Sequence, residues 1–179
     1  MKYLILVVLA LGIAGTVWEY KEYKRVELQD YGHGWEASES LKDAETLVGP
    51  YINSYQKYRV RYPKWWSATE EGGKLAKAKE VTLAHPKRED ISIKIFVKQE
   101  EKGAKDYADA IGKTNPPTRD WDYINNLVVL TWEGKDIFKQ EALFSKDGLL
   151  FDIIATCPAF AAKEYELTFK EVFKTFVSF

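Results

Sequence analysis

The chain has little of the material from which most reactive centres are built. Cys157 is its one cysteine, and His33 and His85 are its two histidines, in 179 residues. A lone cysteine excludes an intrachain disulfide. No second Cys or His stands at a spacing that would close a zinc site around His85, Glu89 and Asp90, or around His33. Charge of one sign is also missing: 26 Lys and Arg face 27 Asp and Glu, for a net −1. Hence no basic excess points to nucleic acid, and no polybasic block points to an anionic membrane surface. The charged run from Lys98 to Lys102 mixes both signs and reads as a solvated face. No Gly-x-Ser-x-Gly, phosphate loop or dinucleotide fingerprint occurs, and no repeat or low-complexity segment is present.

One long apolar run does occur, at the start. Lys2 precedes an unbroken stretch from Tyr3 to Leu11, and Gly12, Ala14 and Gly15 follow. A positive start, a greasy core and a zone of small residues make an export signal over residues 1–18. Gly12 and Ala14 suit a cut before Gly15, and Ala14 and Thr16 suit one before Val17. An uncleaved anchor is the other reading: the run is short for a span of about 20 residues, but Trp18 and Tyr20 suit the interface. A buried core helix is a third. No cysteine lies near the small residues, which argues against a lipoprotein. The expected location is extracytoplasmic: periplasmic or secreted, or held at the membrane through this segment alone.

Residues 19–50 are polar, of mixed charge and interrupted by Gly32 and Gly34, and read as a linker or extension. Within them Ser38 to Val48 has near-helical apolar spacing. Strand signals begin at Tyr51, so residues 51–179 form the expected domain. Tyr58, Val60 and Tyr62 alternate with charged residues up to Pro63, and Val81 and Leu83 continue the alternation after a charged turn over Lys74–Lys79. Ile91, Ile93, Ile95 and Val97 give the clearest period of two. A helix follows, with Tyr107, Ala108 and Ile111 on one face and Asn115-Pro116-Pro117 as its stop. Leu127–Trp132, Ile137–Phe144 and Leu149–Ala155 are then joined by Gly-bearing turns, an antiparallel meander. A helix over Phe160–Lys174 closes the chain, its stripe formed by Ala162, Tyr165, Phe169, Val172, Phe173 and Phe176, and Phe176–Phe179 offers a short edge strand. Together with the abundance of Trp, Tyr and Phe, this order spells an α+β domain: an antiparallel sheet flanked by helices.

Several motifs together resemble the PsbP-like superfamily. They are the tyrosine-rich strand ending Tyr62-Pro63-Lys64-Trp65-Trp66, the Ile-rich strand, the Tyr/Ala helix, the meander ending Phe151-Asp152-Ile153-Ile154-Ala155, and the terminal Thr175-Phe176-Val177-Ser178-Phe179. The resemblance covers about residues 51 to 179 and implies an α-β-α sandwich that binds or assembles with proteins and carries no catalytic site. No stretch matches a photosystem-docking or Ran-binding surface.

Cys157, before Pro158 and a helix N-terminus, has the dipole a thiolate needs but no base at a supporting spacing. The pairs Glu70-Glu71, Glu100-Glu101 and Asp120/Asp122 would need a cleft to act as glycosidase acids. Trp65 and Trp66 are neighbours in extended chain and point to opposite sides. One is expected in the core, and the other, with Lys64 and Trp121, forms the candidate interaction patch: Lys64, Trp65, Trp66 and Trp121; the bland alternative packs the aromatics beneath helix and loop. The expected function is non-enzymatic binding of a protein partner, with no cofactor and no metal. A small-ligand or metal-ion carrier and an unrecognised hydrolase or thiol enzyme are the alternatives.

Overall fold

The computed structural model describes residues 46–71 and 80–179. The leader, the extension up to residue 45 with His33, the helix read over Ser38–Val48 in all but its last residues, and the turn over Lys74–Lys79 lie outside the described residues.

The described residues form ten strands and two helices in the order β1 Leu47–Asn53, β2 Tyr58–Pro63, β3 Ser67–Glu71, β4 Glu80–Ala84, β5 Ser92–Gln99, α1 Ala104–Thr114, β6 Asp122–Ile124, β7 Leu127–Glu133, β8 Ile137–Lys146, β9 Leu149–Pro158, α2 Ala162–Lys174 and β10 Val177–Ser178. A single 3-10 turn, Ala159–Ala161, leads into α2. All pairings are antiparallel. The class is therefore α+β, as the patterning requires.

The strands make two sheets where the sequence suggested one. A seven-stranded sheet runs β3-β4-β5-β9-β8-β7-β6, and a separate three-stranded sheet runs β1-β2-β10. The terminal residues do supply an edge strand, but they pair with β2, Val177 opposite Arg59 and Ser178 opposite Tyr58. Three elements were not legible: β1 starts at Leu47, ahead of Tyr51, β3 follows the tryptophans, and Asp122–Ile124 is a strand rather than loop.

Register decides the two faces of the large sheet. Ile93, Ile95 and Val97 of β5 line up with Phe151, Ile153 and Ala155 of β9, and all are buried. Against this apolar face lies α2, whose Tyr165, Phe169, Val172 and Phe173 are buried. Phe138 and Phe169 stack with centroids 6.5 Å apart. The small sheet joins the same layer. Tyr58 meets Phe151 edge-on at 5.8 Å, and Phe176, at the end of α2, sits 5.4 Å from Phe151.

The opposite face is only partly apolar. Ala104 and Ala108 of α1 pack on Val128, Leu130, Trp132, Leu143 and Leu150, with Tyr107, Ile111 and Trp121 at the margin. The first backbone N–H of α1 has no local cap and is taken by the Ser145 hydroxyl at 3.1 Å, which ties the helix to β8. The β8–β9 turn holds Asp147 and Gly148 both at positive φ, 52° and 74°. Consecutive positive φ values are what a two-residue hairpin requires, and Asp-Gly is the pair that tolerates them.

Candidate functional site

The sheet topology separates the four residues of the expected patch. Trp65 is 65 % exposed, and Trp66, next to it, is 4 % exposed. Trp66 closes one end of the core against Tyr165 of α2 and the His85 ring, at 6.3 and 5.9 Å. Lys64 lies with its ammonium 4.9 Å from the centre of the Trp65 ring, a cation–π contact that keeps the indole raised and solvated on its outer side. Trp121 precedes β6, the far edge strand from β3, and packs against the α1 cluster on the opposite face. Lys64 and Trp65 therefore stand together, Trp66 supports them from below, and Trp121 belongs elsewhere.

His85 is an aromatic spacer between Trp66 and Tyr165, its Nδ1 accepting the backbone N–H of Lys87 at 3.2 Å. Asp90 is engaged by the Arg88 guanidinium through both oxygens, at 2.9 and 2.8 Å. The hydrogen bonds from Arg88, opposed by partial burial, hold its carboxyl below the usual range. Among the described residues no group of three His, Cys, Asp or Glu side chains is placed to hold a metal ion.

Cys157 faces the α2 side, opposite Phe138 in the register, and is fully buried. Burial pushes its thiol up to about 12, with Asp90 adding to the rise. The thiolate that nucleophilic chemistry needs is thus suppressed. Native protein treated with iodoacetamide near neutral pH is expected to stay unlabelled at Cys157, and to take up one adduct after denaturation. Stoichiometric labelling of the folded protein, read by mass spectrometry, would contradict this.

The suspected acid pairs do not meet. Glu70 accepts a 2.6 Å hydrogen bond from the Tyr51 hydroxyl, on β3 at one edge of the large sheet. Asp122 lies on β6 at the other edge and holds its neighbour's backbone N–H. Glu100 and Glu101 line an open depression with Lys102, Asp147 and Gly148 at the end of β5. None forms a two-walled cleft with another.

A different carboxylate pair, which the sequence did not flag, sits mid-sheet beside α1. Glu141 of β8 and Asp152 of β9 are 4 % and 3 % exposed and lie diagonal to each other across the two strands. Each is closed off by its own lysine, Lys139 to Glu141 at 2.6 Å and Lys98 to Asp152 at 2.7 Å. Lys98 also donates to the Tyr107 hydroxyl at 3.0 Å, and Lys139 lies 4.2 Å from the Trp132 ring centre. Burial, with the Asp152 charge, raises the Glu141 carboxyl above its ordinary value. Asp152 Oδ1 is buried with no hydrogen-bond partner among the described residues. The arrangement is a buried carboxylate pair capped by two lysines, an element of the fold. Its signal was present only as polar residues at the wrong phase in Lys139-Gln140-Glu141 and Phe151-Asp152-Ile153.

No family model and no curated protein sequence matches the chain. Among solved structures it is similar to the solution structure of cyanobacterial PsbP (CyanoP) from Synechocystis sp. PCC 6803. That likeness covers 75 % of this chain and 94 % of that one at 12 % identity, with a TM-score of 0.55. A crystal structure from Bacteroides thetaiotaomicron VPI-5482 is also similar, over 75 % of this chain and 48 % of that one, at 16 % identity and a TM-score of 0.54. The chain has a PsbP-like fold.

Proposed function

We propose that this protein is an extracytoplasmic, non-catalytic binding or assembly module of the PsbP-like type, and that it recruits a protein partner through the corner formed by Lys64 and Trp65. The observation that carries the reading is Trp65, an indole 65 % exposed whose immediate neighbour Trp66 is anchored in the core. A large aromatic presented on a rigid support loses little conformational freedom on docking and is the commonest kind of energetic anchor in protein interfaces. The apolar leader read over residues 1–18 supports a site of action outside the cytosol. The masked thiol of Cys157 and the scattered acid pairs support a role without catalysis.

Trp65→Ala tests the proposal. Its stability should stay within about 0.5 kcal/mol of the parent, because the side chain packs against little. Affinity for a partner captured from envelope extract should fall by roughly 30-fold or more, the equivalent of about 2 kcal/mol for an interface anchor. Equal capture by parent and variant would overturn the assignment of the corner. Turnover of generic ester, peptide or glycoside substrates by the purified protein would overturn the non-catalytic reading.

A further inference from the structure

The outer face of the three-stranded sheet has a composition unlike the rest of the chain. From Thr46 to Trp66 and from Thr175 to Phe179 there is no Asp or Glu, although acidic residues outnumber basic ones overall, 27 to 26. The same segments carry Lys57, Arg59, Arg61 and Lys64, all exposed, and none of the four forms an ion pair among the described residues. On β2 the cations alternate with buried Tyr58 and Val60, so Arg59 and Arg61 share the outward side.

Apolar side chains are set among them. Arg59 stands opposite Ile52 on β1 and opposite Val177 on β10, so the three form one row across the sheet. Ile52 is 53 % exposed and Val177 40 %. Tyr55 in the β1–β2 turn and Phe179, whose N–H bonds the Lys57 carbonyl at 2.9 Å, continue the patch at 55 % and 54 % exposure. Phe179 thereby sits beside the Lys57 end of the face.

We infer that this face docks the domain onto an anionic lipid bilayer. A phosphate-bearing surface matches the unopposed cations, each of which contributes about a 5-fold gain near such a surface. Ile52, Tyr55, Val177 and Phe179 are the aliphatic and aromatic types that enter the headgroup boundary, while Arg and Lys stems reach the phosphates. The chain's order agrees. The apolar leader lies N-terminal to the domain, and the described chain enters the fold through β1, a strand of this sheet. Docking here goes beyond the proposed partner site: it rests on the Ile52–Arg59–Val177 row with Arg61 and Phe179, and shares only Lys64 with the corner around Trp65.

The test uses the full chain in vesicles, so that the leader is equally available in every arm. Ser54→Cys, in the exposed β1–β2 turn, takes an environment-sensitive dye while buried Cys157 stays unreacted. With vesicles of phosphatidylcholine containing phosphatidylglycerol, the dye should shift to the blue. The shift should be absent with phosphatidylcholine alone and should be reversed at high ionic strength. Arg59→Gln with Arg61→Gln should weaken the apparent docking constant by about 30-fold. Ile52→Ser with Phe179→Ser, a second variant with the cations intact, should weaken it too. Unchanged circular dichroism in each variant separates lost docking from lost folding. A dye response identical in the two lipids, or unaltered by both variants, would overturn the inference. So would a response to soluble polyglutamate with none to anionic vesicles, which would assign the face to an acidic protein instead. Trp65→Ala should leave the dye response intact, so failure here and failure of the partner site read out separately.

Discussion

Replacing Phe151 with alanine is expected to lower stability by about 3–5 kcal/mol, the range for truncating a buried phenylalanine. Phe151 is the hub between layers. Its ring lies 5.8 Å from Tyr58, 6.0 Å from Phe144 and 5.4 Å from Phe176, joining the small sheet and the chain after α2 to the large sheet. Domains of this size are stable by only about 5–15 kcal/mol, so the loss is a large share of the total. Urea unfolding measures it, and amide exchange at Tyr58 and Val60 should quicken more than at Ile93 and Ile95. A loss below about 1 kcal/mol would mean that the small sheet is held by something other than this aromatic hub. Phe151→Leu, which keeps most of the volume, should cost far less.

Glu141→Gln is expected to gain stability relative to the parent as pH rises towards neutral and above, although it breaks the bridge to Lys139. Burial, and then the Asp152 charge, raise the Glu141 carboxyl above its ordinary value of 4.5. A carboxyl raised on folding binds its proton more tightly in the native state. Its contribution is therefore fully present below the unfolded pKa and is lost as pH rises through the folded one. Glutamine carries no charge at any pH, and Lys139, partly exposed, can turn to water. The stability difference between the two proteins should open as pH rises above about 4.5 and level off once Glu141 has ionised in the native state. Denaturant unfolding across that range measures it, and a pH-independent difference would rule out a raised Glu141 carboxyl.

The acid pair and the basic sheet face share a reason for having gone unread. Lys139 and Glu141, like Arg59 and Arg61, are alternate residues on a strand, and alternation by itself reads as a solvated side. Which neighbour covers that side depends on sheet order. The β8–β9 register puts Asp152 opposite Leu143, diagonal to Glu141, and Leu143 lies in the cluster on which α1 packs. For β2, the same alternation leaves Arg59 facing outward beside residues from both β1 and β10. A search for a continuous run of basic residues passes over cations spaced by buried Tyr58 and Val60.

The elements with strong local periodicity were readable from the chain alone. The Ile-rich β5, the meander β7–β8–β9 with its Asp147-Gly148 turn, the helix ended by Asn115-Pro116-Pro117, and the apolar stripe of α2 each declare themselves. Strand alternation, positive-φ turn residues and helical spacing are local properties. Those elements, with the antiparallel α+β class, were determined by sequence; which of Trp65 and Trp66 is buried was not. Tertiary structure decided the division into two sheets, the separation of Trp121 from Trp65, and the meeting of Glu141 with Asp152. Each of these depends on pairing between residues distant along the chain, such as Val177 with Arg59, and no local pattern encodes a partner that only the closed fold brings within reach.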